Sequence, residues 1–496
     1  MKKGGLTGIF REFLTNGNLN TISVALAAGL YPIISYYSNN FTLVNSWKHF
    51  GFFLFFFIIL PALLFYSVTF LIKSLPQKDF YKYVLPFLNL FLFLFLTKIS
   101  IYAGINKKLT VAIFFVAIFL ALILYKHFKK IVLFEYLLIL VGLFNLSPVL
   151  FKNFTISSKW MAQPDAIENV VFKNKPNVYF IQPDGYVNFS ELAKGYYSYD
   201  NSDFENFMTD NGFKNYADFR SNYSNTLASN SSMMMLKHHY HNNQLHPSEG
   251  LNAREILVSS NVVLDVFKNN GYTTHLILEA PYIMLNKPKM GYHKSNFLVE
   301  DVPYIGKGFE NKRQVVDDLE NFLADREENP LFFFIEFFNP GHIANTKGNT
   351  EGREKEKEKW IESLQQANTY LKDFVDLIKE KDSNALIIIL ADHGGYVGLD
   401  YAMQMYTKTQ ERDILYSVFS SQLSIHWPEK NVPGYDTELK STVNLFRIIF
   451  SYLSEDTKYL KALQEDASYL TIHKGAPEGV YKYIDKNGNI VFEKVN

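Results

Sequence analysis

The sequence predicts an α/β sandwich with a mostly parallel central sheet, preceded by an all-α transmembrane domain of five helices. Residues 20–151 are dominated by Phe, Leu, Ile, Val and Tyr, whereas nearly all the Asp and Glu follows residue 164. After residue 176, short apolar runs alternate with amphipathic helical patterns, which is typical of a parallel sheet covered by helices. At 496 residues the chain is also too long for one compact domain.

Five apolar segments make up the predicted transmembrane domain. They cover approximately residues 20–37, 50–72, 83–103, 109–125 and 131–151. Each is close to the ~20 residues that a helix needs to cross a bilayer. A bundle of soluble core helices is the alternative, but the length and near-continuity of the apolar runs favour membrane insertion. The first segment lacks a small-residue cleavage site and further spans follow it, so we expect an anchor and not a cleaved signal peptide.

The basic residues of the short loops predict the orientation of this domain. Nine are in the amino-terminal segment and in every second loop, namely Lys2, Lys3, Arg11, Lys73, Lys78, Lys82, Lys126, Lys129 and Lys130. The alternate loops hold three, Lys48, Lys107 and Lys108. Cytoplasmic loops carry the excess of Lys and Arg, so we expect a cytoplasmic amino terminus. With five spans, everything after residue 151 then lies on the extracytoplasmic side of the membrane, which we expect to be a bacterial-type inner membrane.

The rest of the chain divides by composition. Residues 152–175 form a polar linker with an interfacial helix expected near Trp160. Residues 176–455 form the predicted extracytoplasmic α/β domain. Residues 456–496 form a carboxyl-terminal extension, in which an Asn487-Gly488 turn between strand-like halves predicts a β-hairpin.

Charge and cysteine content exclude several kinds of function. The formal net charge is zero, so nothing global indicates a nucleic-acid partner. The chain has no cysteine, which excludes disulfides, thiolate metal sites and a cysteine nucleophile.

Within the α/β domain, the expected strands cover 177–184, 274–278, 331–338, the run beginning at Leu386, and 420–427. The expected helices cover 201–211, 254–270, 312–328, 351–381 and 438–453. These boundaries rest on hydrophobic period and on turn residues such as Gly212 and Gly271.

Two of these strands end in residues that can bind a metal. The strand from Leu386 ends in Asp392-His393, followed by two glycines, and the strand 177–184 ends in Asp184. Ligands of open α/β sheets collect at the carboxyl ends of strands. A carboxylate and an imidazole there supply part of a divalent-metal site. The alternative is that Asp392 caps the next segment and His393 sits in a turn.

A polar segment and a loop histidine lie between these strands. The segment Ser221–Asn230 is rich in hydroxyls and precedes Met233–Leu236, which has a helical pattern. A hydroxyl at a helix amino terminus, such as that of Thr226, is well placed to hold a phosphate, although an ordinary N-cap is the simpler explanation. His342 follows the phenylalanine-rich strand in Asn339-Pro-Gly-His342.

The order of these motifs resembles the alkaline phosphatase superfamily. Strand-Asp, a threonine in a polar segment, a later loop histidine and strand-Asp-His-Gly are closest to its membrane-anchored, sulfatase-like transferases, such as lipoteichoic acid synthase and the phosphoethanolamine transferases. The likeness covers roughly residues 176–453, and the five preceding spans match that architecture. It implies a sulfatase-like fold for the α/β domain.

The resemblance also implies roles for individual residues. Asp184, Asp392 and His393 match metal ligands, and Thr226 matches the nucleophile, which also coordinates the metal. His342 matches a histidine that contacts the substrate phosphate. Ser229 fits the family's serine three residues after the threonine, and His426, in Ile425-His-Trp-Pro428, resembles a substrate-binding position. Asp184 departs from the lipoteichoic acid synthases, which have Glu there.

The implied activity is transfer of a phosphoglycerol- or phosphoethanolamine-type group. The donor is a membrane phospholipid, the acceptor a glycan or lipid, and the intermediate a phospho-threonine. One divalent cation is expected: oxygen-rich ligation with one imidazole favours Mn or Mg, and Zn is also compatible. A phosphodiesterase or phosphatase is the first alternative, and an inactive membrane scaffold is the second. Sulfate-ester hydrolysis is disfavoured, because it needs a formylglycine from a Cys/Ser-x-Pro-x-Arg motif, which Thr226 and Ser229 lack.

Overall fold

The computed structural model describes residues 19–74, 80–155, 157–238, 252–324 and 329–495. Lys2, Lys3, Arg11 and Lys78, used above to predict orientation, lie outside these ranges, as does the end of the helix predicted over 312–328. The chain forms two compact units. The first consists of Met1–Ile156 with Leu285–Lys287 and Pro303–Lys307, and the second of Ser157–Met284, Pro288–Val302 and Gly308–Asn496.

The first unit is helical. Its helices are α1 (Thr21–Val44), α2 (Trp47–Leu54), α3 (Leu60–Lys73), α4 (Tyr81–Tyr102), α5 (Lys107–Leu124) and α6 (Phe128–Thr155). A π-helical turn, Phe55–Ile59, joins α2 to α3 without a break. By length and composition, four helical stretches of the described chain could cross a membrane, the last of them Lys107–Thr155 with 49 residues. The prediction above has five.

The difference arises because α5 and α6 are joined by a short 3-10 turn, Tyr125–His127, so that they count as one stretch. A straight helix of that length would measure about 74 Å, far more than the ~30 Å of a bilayer core. The helix contacts show that the chain reverses instead. Early in α5, Thr110 accepts a hydrogen bond from Lys98 near the end of α4, whereas Tyr125 packs on Tyr83 near the start of α4. The fourth stretch therefore contains two antiparallel passes.

The remaining pairs give the direction of the other passes. Asn89 of α4 donates to the carbonyl of Val24, and Ser100 to that of Pro32, so α1 and α4 are parallel. Asn89 also donates to Glu135 of α6, which runs alongside them. The outward faces are apolar, with large side chains such as Leu63, Phe70, Phe119 and Phe144 exposed, as expected for helices that face lipid.

The second unit is built on a seven-stranded sheet. Its strands are β1 (Val178–Pro183), β2 (Phe213–Asn215), β3 (Thr273–Leu278), β4 (Lys294–Ser295), β5 (Leu331–Phe337), β6 (Leu386–Leu390) and β7 (Leu423–His426). The order across the sheet is β2-β7-β6-β1-β5-β3-β4. Pairing is parallel from β6 to β4, whereas β7 is antiparallel to both of its neighbours.

Helices cover both faces of this sheet. They are α7 (Phe189–Leu192), α8 (Ser202–Asp210), α9 (Thr226–Met235), α10 (Ala253–Val258), α11 (Val262–Asn269), α12 (Val315–Ala324), α13 (Arg353–Lys381), α14 (Arg412–Phe419) and α15 (Leu445–Ser454). Alternate residues of each strand point to opposite faces. Phe337 packs on Phe374 of α13, whereas Phe332 stacks on Phe267 of α11 at 4.1 Å between ring centroids. The predicted α/β sandwich with a mostly parallel sheet is confirmed.

Local differences from the prediction have local causes. The helix expected over 254–270 is two helices, because Asn261 accepts a hydrogen bond from the Leu264 amide and starts α11 as an N-cap. The helix expected from 438 starts at Leu445, after two 3-10 turns. In the last residues, Asn487-Gly488 lies in the turn between β9 (Gly479–Ile484) and β10 (Ile490–Lys494), and β8 (Ser468–Ile472) pairs with β9 in a second, three-stranded sheet.

Candidate active site

Two adjacent parallel strands bring three potential metal ligands together. Ile181 of β1 pairs with Ile389 of β6, so both strands end at the same edge of the sheet. Asp184 follows β1, and Asp392 and His393 follow β6. One ligand atom from each of these three residues lies within 4.8 Å of the others. Nε2 of His393 is 3.4 Å from Oδ1 of Asp184 and 3.3 Å from Oδ2 of Asp392.

The backbone sets the protonation of the His393 ring. Its Nδ1 lies 2.9 Å from the carbonyl oxygen of Gly394. A carbonyl can only accept, so Nδ1 carries a proton, and Nε2, which faces the two carboxylates, is the nitrogen that has a lone pair in the neutral ring. This is the tautomer that binds a metal through Nε2.

Thr226 presents its hydroxyl to the same three residues. Its Oγ1 lies 3.5 Å from Oδ1 of Asp184 and 3.4 Å from Nε2 of His393. The N-cap of α9 is Asn225, whose side chain accepts from the amide of Ala228 at 3.0 Å. Thr226 is therefore the first residue of the helix and not its cap, and its hydroxyl is not engaged in capping.

The donor set fits a divalent cation. Asp392 is fully buried, and its Oδ2 has no hydrogen-bond partner among the described residues. No described Lys or Arg forms an ion pair with Asp184 or Asp392. Burial raises the pKa of Asp184, and the negative charges of Asp392 and Glu336 raise it further. Buried carboxylates without a cation are unfavourable, and a bound metal ion supplies the missing positive charge.

The two glycines after His393 are required by close packing. A Cβ on Gly394 would lie 2.2 Å from the carbonyl oxygen of Ser417, and a Cβ on Gly395 would lie 2.0 Å from Nε1 of Trp360. The same Trp360 nitrogen donates to the carbonyl of Gly341 at 2.9 Å. Only residues without a side chain let the segment that follows Asp392 and His393 pass this close to α13 and α14.

His342 lies beside this group and not among its ligand atoms. Its ring centroid is 6.2 Å from that of His393. Its Nδ1 lies 2.7 Å from the carbonyl oxygen of Ile343, so Nδ1 donates and Nε2 keeps a lone pair. Burial lowers the pKa of His342, and the neighbouring His393 lowers it further. His342 is therefore neutral at pH 7.

Tyr396 is a site residue that the sequence interpretation missed. Its ring lies 5.3 Å from that of His342 and 5.2 Å from that of His393, nearly parallel to both. Its hydroxyl donates to the carbonyl of Ser224, two residues before Thr226. Its backbone has φ +62°, a left-handed conformation that is strained for a non-glycine residue and concentrates at functional sites. Tyr396 thus links both histidines to the segment that carries Thr226.

Glu336 is the second residue that was missed. It lies on β5 directly opposite Gln182 of β1, and both side chains are buried. None of their side-chain polar atoms has a hydrogen-bond partner among the described residues. Burial raises the pKa of Glu336 to about 8, with the charge of Asp392 adding to the shift. A signal was present in the sequence, because this is the only carboxylate in a strand of otherwise apolar residues.

Two predicted site residues are placed differently. Ser229 is buried one turn after Thr226, and its Oγ pairs with Oγ of Ser221 at 3.0 Å. His426 is not at the site. It pairs with Ile387 near the start of β6, and its Nδ1 donates to the carbonyl of Ala385. Because β7 is antiparallel to β6, its carboxyl end lies at the opposite edge of the sheet from Asp392.

Comparison with solved structures finds the C-terminal periplasmic domain of EcEptC from Escherichia coli. The two chains have 12% identity and a TM-score of 0.42, and the match covers 65% of this chain and 97% of that chain. Another is the integral membrane protein lipooligosaccharide phosphoethanolamine transferase A (EptA) from Neisseria meningitidis. It has 12% identity and a TM-score of 0.41, and the match covers 88% of this chain and 96% of that chain. A third is the lipoteichoic acid synthase LtaP from Listeria monocytogenes. It has 12% identity and a TM-score of 0.41, and the match covers 66% of this chain and 90% of that chain.

No curated protein matches the chain. The sulfatase family model matches residues 193–454, more than half of the 496 residues, and this range includes Thr226, His342, Asp392 and His393. The chain belongs to the sulfatase family.

Proposed function

We propose that the protein transfers a phosphoglycerol- or phosphoethanolamine-type group from a membrane phospholipid to a glycan or lipid acceptor, through a phospho-threonine intermediate on Thr226. The observation that carries this proposal is the position of the Thr226 hydroxyl. It lies within 3.5 Å of both Asp184 and His393, while Asn225 performs the capping. Because Asn225 already caps the helix, the hydroxyl of Thr226 is free for a chemical role.

Asp184, Asp392 and His393 would hold one divalent cation, with Thr226 completing the set. Two carboxylates, a hydroxyl and one imidazole favour Mn or Mg, and Zn is also compatible. When bound, such a cation favours the alkoxide form of the Thr226 hydroxyl and reduces the charge repulsion with a phosphate.

In the first half of the reaction, Oγ1 of Thr226 attacks the phosphorus of the lipid head group. A bond forms between Oγ1 and phosphorus, and the bond between phosphorus and the diacylglycerol oxygen breaks. The proton lost by the threonine is balanced by the proton gained by the departing diacylglycerol. The free amides of the first turn of α9 favour an anion at this helix end.

In the second half, an acceptor hydroxyl displaces Thr226 from phosphorus in line, and the Thr226 oxygen regains a proton. We assign Nε2 of His342 as the group that carries the proton of the incoming hydroxyl. The lowered pKa of His342 supports this assignment, since a neutral imidazole accepts a proton at pH 7. The apolar helices of the first unit would hold the protein at the bilayer that contains the donor, with the catalytic unit on the extracytoplasmic side.

Incubation of the purified full chain with Mn and a fluorescent-head-group phospholipid tests this proposal. We expect release of diacylglycerol and, by intact-protein mass spectrometry, an adduct on Thr226 with the mass of the labelled phosphoglycerol or phosphoethanolamine group of the donor. Thr226→Ala should abolish both signals, whereas Thr226→Ser keeps a hydroxyl and should retain part of the adduct. Unchanged diacylglycerol release by Thr226→Ala would disprove the nucleophile assignment.

The same experiment separates transfer from hydrolysis. If the adduct decays at the same rate with and without added glycan or lipid acceptors, and the free head-group phosphate accumulates, the enzyme is a phosphodiesterase. Faster decay with an acceptor, together with a labelled acceptor product, supports transfer.

A further inference from the structure

A cavity in the second unit has the chemistry of an anion site. This cavity, here called the Arg220 cleft, has a volume of about 580 Å³. That size is in the range of small-molecule sites. Its lining includes Lys214, Tyr216, Arg220, Asp436, Lys440 and Lys486. It lies where the end of β2, the segment before α15 and the turn between β9 and β10 meet.

Arg220 is the buried cation of this cleft, whereas Lys214, Lys440 and Lys486 are exposed. Only 5% of the surface of Arg220 is exposed. Its Nη2 donates to the backbone carbonyls of Asp466 and Asp485, and its Nε is buried with no hydrogen-bond partner among the described residues. None of the described ion pairs includes Arg220. Burial lowers the pKa of the Arg220 guanidinium, and nearby groups, among them Asp466 and Asp485, oppose this shift only in part.

The nearby carboxylates are engaged with other donors. Asp466 accepts from Ser441 and Asn444, and Asp218 accepts from Ser190. Asp485 accepts from the backbone amides of its own turn. Asp436 forms an ion pair with Lys214. The charges of Asp466, Asp485 and Asp218 act on Arg220 from nearby, but none of these carboxylates forms an ion pair with its guanidinium among the described residues.

Beside the acidic Asp218 and Asp436, the rest of the lining contains further lysines and hydrogen-bonding groups. Lys440 and Lys486 are exposed at the cleft, and no described ion pair includes Lys486. Lys440 has only a distant contact with Glu438, at 3.9 Å. Asn215, Thr437 and Asn487 supply amides and a hydroxyl. A guanidinium with two lysines suits a phosphate or carboxylate, and the amides and hydroxyl suit sugar or polyol hydroxyls.

The cleft is connected to the nucleophile by a short buried segment. Arg220 precedes Thr226 by six residues, which limits their separation to about 20 Å. Ser221, the next residue, pairs with Ser229 of α9, the helix that begins at Thr226. A ligand in the cleft can therefore be part of a molecule that also reaches the reacting phosphate.

We propose that the Arg220 cleft binds an anionic, hydroxyl-bearing segment of the acceptor, a sugar or polyol that carries a phosphate or a carboxylate. The biological role that we give the cleft rests on the transfer reaction proposed above. Binding itself needs no turnover, so it can be tested separately.

The test is calorimetric titration of the full chain in detergent with glucose 6-phosphate, glucuronate and glucose. The same titrations in Asp392→Asn isolate binding at the cleft from binding at the metal ligands. We expect saturable binding of at least one anion in both proteins, weakened by added NaCl, and no saturable binding of glucose. Phosphate selectivity or carboxylate selectivity identifies which anion the acceptor carries.

The double variant Lys440→Gln/Lys486→Gln should weaken binding of the anion by about tenfold, and Arg220→Lys should weaken it as well. Lys458→Gln removes an exposed lysine outside the cleft and should leave the affinity unchanged. Equal affinity in the double variant and in Lys458→Gln would overturn the proposal, as would equal binding of glucose or no saturable binding of either anion. Loss of transfer in Thr226→Ser with retained anion binding would count against the reaction and not against the cleft.

Discussion

At the scale of single residues, Tyr396 has two separable contributions to the site. Its ring packs beside His393 and its hydroxyl donates to Ser224. Burial raises the pKa of Tyr396 well above its usual value, so the hydroxyl keeps its proton and remains a donor. The ring therefore packs against His393, the candidate metal ligand, whereas the hydroxyl holds the segment that precedes Thr226.

We expect Tyr396→Phe to lower kcat for diacylglycerol release by about fivefold, because one hydrogen bond contributes about 1 kcal/mol. The affinity for Mn and the KM for the lipid should not change, because the ring remains. Tyr396→Leu removes the ring too and should also weaken Mn binding. A kcat for Tyr396→Phe equal to that of the unsubstituted protein would show that the hydroxyl has no positioning role.

Glu336 predicts how stability depends on pH. Its pKa of about 8 in the folded state exceeds the value near 4.5 of an exposed carboxyl. The folded state therefore holds a proton that the unfolded state loses, and this contribution to stability is lost as pH rises from about 4.5 through 8. We expect the Tm of the chelator-treated full chain to fall over this range, and Glu336→Gln to reduce the slope. Glu354→Gln, at an exposed position, is the control, and an equal slope in both variants would contradict the assignment.

Some of these residues can be predicted from the sequence, and the reasons are local. Asp184, Asp392 and His393 follow apolar runs, and parallel strands end at one edge of a sheet. Thr226 is identified too, but the sequence does not show that Asn225 is the cap, since both residue types can cap a helix. Tyr396 gives no signal, because its importance comes from a left-handed backbone conformation and from contacts with residues distant in sequence.

At the scale of secondary structure elements, the turn after β6 depends on its packing against α13. The Cβ of an alanine at 395 would lie 2.0 Å from the Trp360 ring, so either the helix or the ligand segment must move. We expect Gly395→Ala to lower the free energy of unfolding by about 1–3 kcal/mol and to weaken Mn binding. Gly348→Ala is the matched control, since a methyl group at that position would have no other atom within 4 Å. Thermal unfolding and Mn titration of both variants check this, and equal effects would contradict it.

The direction of a strand within the sheet cannot be predicted from its sequence pattern. The pattern of 420–427 correctly indicates a strand, but β7 has only four residues, and an apolar run reads the same in either direction. His426 is a candidate in the sequence because Ile425-His-Trp-Pro428 resembles a family segment, whereas the antiparallel direction of β7 puts it at the other edge of the sheet. The predicted helix 254–270 is split for a different reason. The side chain of Asn261 caps a new helix, although the helical pattern of the sequence is continuous.

At the scale of the whole molecule, the absence of cysteine makes the proposed topology directly testable. A single introduced thiol is the only one in the chain, so labelling of the protein reports the side of the membrane on which that residue lies. We expect Lys355→Cys, on the exposed face of α13, to react with a membrane-impermeant maleimide in intact cells or spheroplasts. Lys126→Cys, in the turn between α5 and α6, should react only after permeabilisation. Labelling of both, or of Lys126→Cys alone, before permeabilisation would contradict the topology.

The close approach of Trp360 to Gly395 also has a spectroscopic consequence. The indole is 2% exposed, bonded to the Gly341 carbonyl, and 4.7 Å from the ring of Tyr197. Its fluorescence therefore originates from a buried ring that contacts Gly395, two residues after His393. The chain has three other tryptophans, Trp47, Trp160 and Trp427. With those replaced by phenylalanine, the emission of Trp360 becomes an intrinsic optical reporter of movement in the ligand segment, without an attached dye.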